Sequence, residues 1–86
     1  MHSPRFFKEI GDIKLDTFRK YLEQNGYSIL REVGNAVHYK KDWNVINFPG
    51  REGLSDQYLM FQYTIETLSL ELDKSYIEIM NEIMEL

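Results

Sequence analysis

Hydrophobic residues along the chain follow a helical period, then a strand-like period, then a helical period again. Leu15, Phe18 and Leu22 have the i, i+3, i+7 spacing of one helix face. Asn25-Gly26 comes next, and glycine readily takes the left-handed conformation in which helices end. The pattern therefore predicts a helix over residues 12–26.

Residues 27–48 are typical of a β-meander. Three runs rich in β-branched and aromatic residues are separated by two turn signals, Gly34-Asn35 and Lys40-Lys41-Asp42. In the third run, Trp43 and Ile46 are expected on opposite sides, because side chains alternate along a strand. Neither side of that run is wholly apolar, so we expect both to be partly covered.

Residues 55–86 return to helical spacing and predict two helices, with Ser55 as the N-cap of the first. An apolar stripe marks the first helix: Tyr58, Phe61, Ile65, Leu68 and Leu72. Ile77, Met80 and Met84 form one face of the second helix. Three further apolar residues widen that face: Tyr76, Ile79 and Ile83. One small sheet does not easily cover so much apolar surface, so we predict that Ile77, Met80 and Met84 form an interface.

The order α–β–β–β–α–α predicts an α+β fold, a three-stranded antiparallel β-meander packed against flanking helices. The 86 residues suit a single domain, 1–86, and 43% apolar residues are enough for one core. Ahead of the first helix, Phe6, Phe7 and Ile10 form an apolar cluster. This cluster predicts a short helix or an arm over residues 1–11.

Charge is divided unevenly at Arg51. Residues 1–51 hold nine lysines and arginines against six acids, a net charge of +3. Residues 52–86 hold Lys74 against eight acids, a net charge of −7. A molecule with a basic half and an acidic half selects its partners by charge. The division favours a noncatalytic interaction module that binds another protein or itself, as a homodimer or a hetero-complex. An acidic mimic of nucleic acid that inhibits a basic protein is an alternative.

Composition disfavours several classes of protein. The absence of cysteine excludes a disulfide, a zinc–thiolate site and a thiol nucleophile. No run of about 18 apolar residues predicts a membrane span, and the first residues lack the apolar stretch of a signal peptide. The acids show no metal-ligand spacing and the glycines no phosphate-binding motif, so we expect neither a metal nor a cofactor. The expected location is the cytoplasm of a prokaryote.

His38 is a weak candidate for a catalytic residue, since a general acid or base needs a second group and a cleft. A basic and aromatic patch is predicted near it, and its members are candidates for binding: Arg31, Lys40, Lys41, Trp43 and Arg51. Such a patch suits RNA, because aromatic rings stack on bases and cations neutralise phosphates. The alternative is an ordinary hairpin whose lysines protect a sheet edge from pairing.

Residues 16–83 resemble a prokaryotic domain family without an assigned activity, found in bacteria and often near mobile or defence genes. The family pattern is an aspartate, a Tyr-Leu-x-x-x-Gly-aromatic helix end, a short hairpin, a proline, an aspartate before an aromatic helix start, and an acidic last helix that contains a serine. The matching positions are Asp16, Tyr21-Leu22, Gly26-Tyr27, Pro49, Asp56, Tyr58, Leu68, Glu71 and Ser75. The resemblance implies a bacterial context rather than a reaction.

Residues 18–70 are similar to the HicA toxin family, small ribonucleases with a double-stranded-RNA-binding-like α–β–β–β–α fold. The family motif Gly-Ser-His-x-x-Tyr is followed by a Pro-Gly loop. Here the corresponding stretches are Gly34-Asn35-Ala36-Val37-His38-Tyr39 and Pro49-Gly50. The family's catalytic histidine falls on Ala36, and His38 lies two residues further along the same strand face. The resemblance implies an RNA-binding or ribonuclease domain with a displaced histidine.

Overall fold

The computed structural model describes residues 10–86 and confirms the α+β architecture. Its three strands form one antiparallel sheet in the order β1-β2-β3, with helices before and after it. The elements are α1 (Leu15–Gln24), β1 (Ser28–Val33), β2 (Ala36–Lys41), β3 (Asn44–Pro49), α2 (Gln57–Leu72) and α3 (Tyr76–Met84). Residues 10–12 are also helical, and the rest of the predicted segment 1–11 lies outside the described residues.

Helix α1 is shorter than the predicted span 12–26 and is capped by a distant residue. Its N-cap position, Lys14, provides no side-chain hydrogen bond. Instead the Leu15 amide donates to Oε1 of Glu52 at 2.9 Å, which satisfies one of the free amides of the first turn. At the other end, Gly26 has a φ of 90°, the left-handed conformation that the sequence predicts there.

The two later helices are separated by a short break, as predicted. Helix α2 begins after Asp56 rather than after the predicted N-cap Ser55, and the Asp56 side chain makes no capping bond. Asp73 ends α2 in the left-handed conformation, with a φ of 53°. Ser75 then caps α3, because its hydroxyl accepts a hydrogen bond from the Glu78 amide at 3.2 Å.

The apolar stripe of α2 is confirmed along most of its length. Phe61, Ile65 and Leu68 are fully buried, and Leu72 is partly buried against the core. Tyr58, the first member of the stripe, remains 56% exposed. The helix therefore packs on the sheet through its middle and C-terminal turns.

One side of the sheet faces the helices, and its aromatic rings form the centre of the core. Phe18 of α1 meets Phe48 of β3 edge to face, with ring centroids 5.0 Å apart. Phe61 of α2 lies 4.9 Å from Phe18 and 5.4 Å from Phe48. Tyr39 of β2 completes the cluster at 5.8 Å from Phe48. These contacts fix α1 and α2 on the same side of the sheet.

The other side of the sheet is much more open, which corrects the expectation that both sides of the third run are covered. In β3, Ile46 and Phe48 are buried, whereas Val45 and Asn47, which alternate with them, are exposed; only Pro49 at the end of the strand is buried on their side. Strand β1 is exposed along its whole length and contains an irregularity at Leu30. The sheet thus buries one face of β2 and β3 and presents the opposite face outward.

Candidate functional site

Nine strand residues point away from the helices, and we call them the outer sheet face. In β2 the buried Val37 and Tyr39 alternate with Ala36, His38 and Lys40, so the latter three point outward. Cross-strand pairing adds the neighbours of these three residues in β1 and β3. The outer sheet face consists of Ser28, Arg31, Val33, Ala36, His38, Lys40, Val45, Asn47 and Pro49. It contains two cations and a histidine, and none of its nine residues is acidic.

Arg31 and His38 are cross-strand partners in the middle of this face. The Arg31 Nε donates to the His38 Nδ1 at 3.2 Å. Ala36, where the HicA motif has its histidine, lies on the same face and pairs with Val33. In this pair the neighbour of His38 is a cation rather than a carboxylate.

Trp43 stands at the tip of the β2–β3 hairpin and is 97% exposed. It is a turn residue, not the start of β3 as the sequence pattern predicts, since β3 begins at Asn44. Asp42 precedes it in the left-handed conformation, with a φ of 52°, which aspartate tolerates better than most residues. The indole lines a shallow depression with Lys40 and Asp42, so it lies at the rim of the outer sheet face.

Of the five predicted binding residues, Arg31 and Lys40 share the outer sheet face, and Trp43 adjoins Lys40. Lys41 points to the opposite side of the sheet, where its Nζ lies 2.6 Å from Oε1 of Glu71 in α2. Arg51 lies beyond the far end of the sheet, with its Nε 3.4 Å from the Asn35 side-chain oxygen. The structure therefore divides the predicted basic patch into separate regions.

A polar cluster ties the hairpin to α2 around Glu71. The Glu71 carboxylate accepts hydrogen bonds from Lys41, from the hydroxyl of Tyr27, and from Nδ2 of Asn44 at 3.1 Å. Burial alone raises the pKa of Glu71, but the bonds from Lys41 and Tyr27 and the lysine charge outweigh it and lower that pKa. Burial, and then the bond to Glu71, raise the pKa of Tyr27. These four groups satisfy one another and stabilise the fold.

A second cluster, again a glutamate bonded to a tyrosine and a lysine, ties α1 to α3. Glu82 accepts a hydrogen bond from the Tyr21 hydroxyl at 2.9 Å and pairs with the Lys74 Nζ at 2.7 Å. The bond from Lys74, and then the bond from Tyr21, lower the pKa of Glu82. Burial, followed by the bond to Glu82, raises the pKa of Tyr21. Two acids of the negative half are thus bound to lysines, which weakens the case for a nucleic-acid mimic.

The predicted interface on α3 is only partly on the surface. Met80 is fully buried in the core together with Ile79 and Ile83. Ile77 and Met84 are 53% and 51% exposed and point the other way. The face that packs inward is therefore the one that Ile79 and Ile83 define, and Met80 is not available to a partner.

A groove between β3 and α2 did not follow from the sequence reasoning. It has a volume of about 340 Å³, and Val45, Leu59 and Tyr63 are among the residues that line it. Leu59 and Tyr63 are 48% and 57% exposed. Their i, i+4 spacing marks a second apolar stripe on α2. This stripe is the sequence feature that could have predicted the groove, but it does not stand out because apolar residues occur almost all round this helix.

Residues 10–86 contain neither a cluster of metal-ligand side chains nor a helix that could span a membrane. No group of three or more histidine, cysteine, aspartate or glutamate residues in this range could hold a metal ion. No helix in it has both the length and the apolar character needed to cross a bilayer.

Comparisons with family models, with curated proteins and with solved structures gave no match. Both family resemblances therefore stay predictions, and the function is argued from the geometry of the site.

Proposed function

We propose that the protein is a noncatalytic cytoplasmic interaction module whose outer sheet face docks an acidic surface of a partner protein. One observation carries this proposal: within residues 10–86, the helices lie on one side of the sheet and leave most of the other side open. The open side bears Arg31 and Lys40 without a carboxylate among its nine residues, and Trp43 stands at its rim.

Trp43 supplies the main energetic reason for a partner. Burying a tryptophan removes about 150–250 Å² from water, worth about 4–6 kcal/mol at ~25 cal/mol per Å². Because the Trp43 side chain is 97% exposed, nearly all of this burial free energy is still to be gained when a partner binds. Tryptophan and arginine are also enriched among the residues that dominate binding energies at interfaces. The pairing of Trp43 with Arg31 and Lys40 therefore suits a docking surface.

The chemistry of the face favours a protein partner. Val33 and Val45 are 51% and 54% exposed beside the cations, and phosphates gain little from contact with valines. High affinity for a nucleic acid comes from many cation–phosphate contacts, and this face provides two cations. The complementary surface is an apolar centre flanked by carboxylates.

Immobilised protein and nuclease-treated lysate of the native host provide the test, with bound proteins identified by mass spectrometry. The variants are Lys40→Glu and Trp43→Ala on the proposed surface. Lys20→Glu, at an exposed position of α1, is the matched control because it changes net charge equally. We expect the wild type and Lys20→Glu to retain the same partner and the other two variants to lose it. Retention by all four proteins would exclude this face as the docking surface.

RNA binding is a second candidate, and the Arg31–His38 contact on the open face is the observation that favours it. It agrees with the similarity to HicA proteins, whose motif histidine aligns with Ala36 on that face. Two phosphate contacts on single-stranded RNA predict a slope of about −1.4 for log affinity against log salt. Fluorescence anisotropy with a labelled RNA at low salt tests this. Absence of binding there, or equal binding by Arg31→Glu, would rule it out.

A further inference from the structure

Helix α3 presents a second surface, opposite its buried side, that we call the outer face of α3. At 100° per residue, one side of the helix holds all its exposed residues. They are Ile77, Glu78, Asn81, Met84 and Glu85. The helix contains no lysine or arginine; Lys74 is bound to Glu82, and Lys14 lines a cavity beside Met84 at one end of the helix. This surface is therefore an apolar strip bordered by two carboxylates.

We infer that the outer sheet face of one molecule receives the outer face of α3 from a second copy of the chain. This inference rests on the proposed function and names the partner of the same surface. The two faces are complementary in charge and in hydrophobicity. Arg31 and Lys40 match the two carboxylates, and the exposed valines match Ile77 and Met84.

The dimensions of the two surfaces also agree. A nine-residue helix is about 13 Å long, and a six-residue strand is about 20 Å long. Three strands are about 10 Å from first to last, which is the diameter of a helix. Helix α3 is therefore short and narrow enough to lie along the strands without extending beyond the sheet.

The contact has to form between molecules. Helix α3 packs against α1 and α2, which lie on the inner side of the sheet, so it does not reach the outer sheet face of its own chain. Each molecule offers one sheet face and one helix face. A contact between these unlike faces closes into a two-fold pair or a ring, or propagates from copy to copy.

Two variants that each keep one intact face test the inference. Arg31→Ser/Lys40→Ser removes the cations of the sheet face, and Glu78→Lys/Glu85→Lys reverses the charge of α3. All four positions are exposed, so the core is not altered, and circular dichroism with urea denaturation confirms that each variant folds. Sedimentation velocity over a concentration series then measures the assembly of each protein and of a 1:1 mixture.

We expect the wild type to assemble with rising concentration and each variant alone to associate at least about tenfold more weakly. The 1:1 mixture should form a heterodimer that grows no further, because the intact helix of one variant meets the intact sheet of the other. Lys20→Ser, which removes an exposed cation of α1, should assemble like the wild type.

Three outcomes would overturn the inference: a wild type that stays monomeric, a sheet variant that still dimerises, or an α1 control that loses assembly. If the wild type is monomeric but Lys40→Glu still loses a host partner, the proposed docking surface holds and only the second copy is excluded. If Lys40→Glu keeps that partner while assembly depends on the sheet face, the surface serves self-association alone.

Discussion

Lys41 and Glu71 form an ion pair of 2.6 Å that joins β2 to α2 across 30 positions of sequence. The pair removes Lys41 from the basic patch and places it in the fold instead. Its neighbour Lys40 is exposed on the opposite side of the sheet. Adjacent lysines thus have different roles, one structural and one at the proposed docking surface.

The first prediction concerns the stability that this pair provides. Lys41→Met keeps the aliphatic length but leaves the Glu71 carboxylate, which is 16% exposed, without its cation. We expect the free energy of unfolding to fall by about 1–2 kcal/mol, measured by urea denaturation. Lys40→Met is the matched control and should change it by less than about 0.5 kcal/mol. Equal effects of the two substitutions would show that the ion pair adds nothing to stability.

Acid should destabilise the protein through the same cluster. The pKa of Glu71 is lower in the folded chain than the usual value of about 4.3 in an unfolded one. The stabilisation is therefore fully present above about pH 4.3 and is lost as the pH falls through the lower, folded-state value. Urea denaturation at a series of pH values should show a plateau near neutrality and a decline below about pH 4.

Glu71→Gln distinguishes the contribution of the Glu71 carboxylate to acid destabilisation from that of the other acids. The variant should be less stable than the wild type at neutral pH, because the amide forms a weaker bond to Lys41. It should also lose less stability on acidification, since it has no charge to lose at this position. Parallel pH curves for the two proteins would show that acid acts elsewhere in the molecule.

The end of α2 offers a substitution that should increase stability. Asp73 has a φ of 53°, and its carboxylate lies at the negative end of the helix dipole. Asp73→Gly relieves both disadvantages and should raise the free energy of unfolding by about 0.5–1 kcal/mol. Asp73→Asn removes the charge alone and should give a smaller gain.

Asp16→Gly, a substitution within a helix, is the control for Asp73→Gly. Asp16 lies in the first turn of α1, where an acid is favourable and glycine is not. Asp16→Gly should therefore lower the free energy of unfolding by about 1 kcal/mol. A loss of stability in Asp73→Gly as well would mean that the aspartate makes a contact worth more than its strained backbone.

The order of elements could be predicted because the period of the apolar residues changes where the structure changes. The inward side of α3 could not be predicted in the same way. Ile77, Met80 and Met84 satisfy the spacing of a buried face, but Ile79 and Ile83 satisfy a similar spacing on the adjacent side. The contacts of α3 with α1 and α2 decide between them, and these contacts join residues far apart in sequence.

The candidate site was predictable in composition but not in shape. Residue type alone brought Arg31, Lys40 and Trp43 into consideration. The alternation of a strand already implies that Lys40 and Lys41 point to opposite sides, yet the side that faces the helices depends on packing. Glu71, which neutralises Lys41, lies in a different element, and no local pattern indicates that pairing.

The last prediction uses Trp43, the one tryptophan of the chain, as a reporter of docking. Since its side chain is 97% exposed, dilute folded protein should show the emission and acrylamide quenching of a tryptophan in water. Unfolding in urea should change that emission little while circular dichroism records the full transition. Docking of a partner or of a second copy should shift the emission to shorter wavelength and reduce quenching, because the indole leaves water.

A free tryptophan derivative is the reference for quenching, and Lys40→Glu should abolish the shift. Shielded, blue-shifted emission from dilute monomer would instead place Trp43 against its own chain and remove the main energetic reason for the proposed surface.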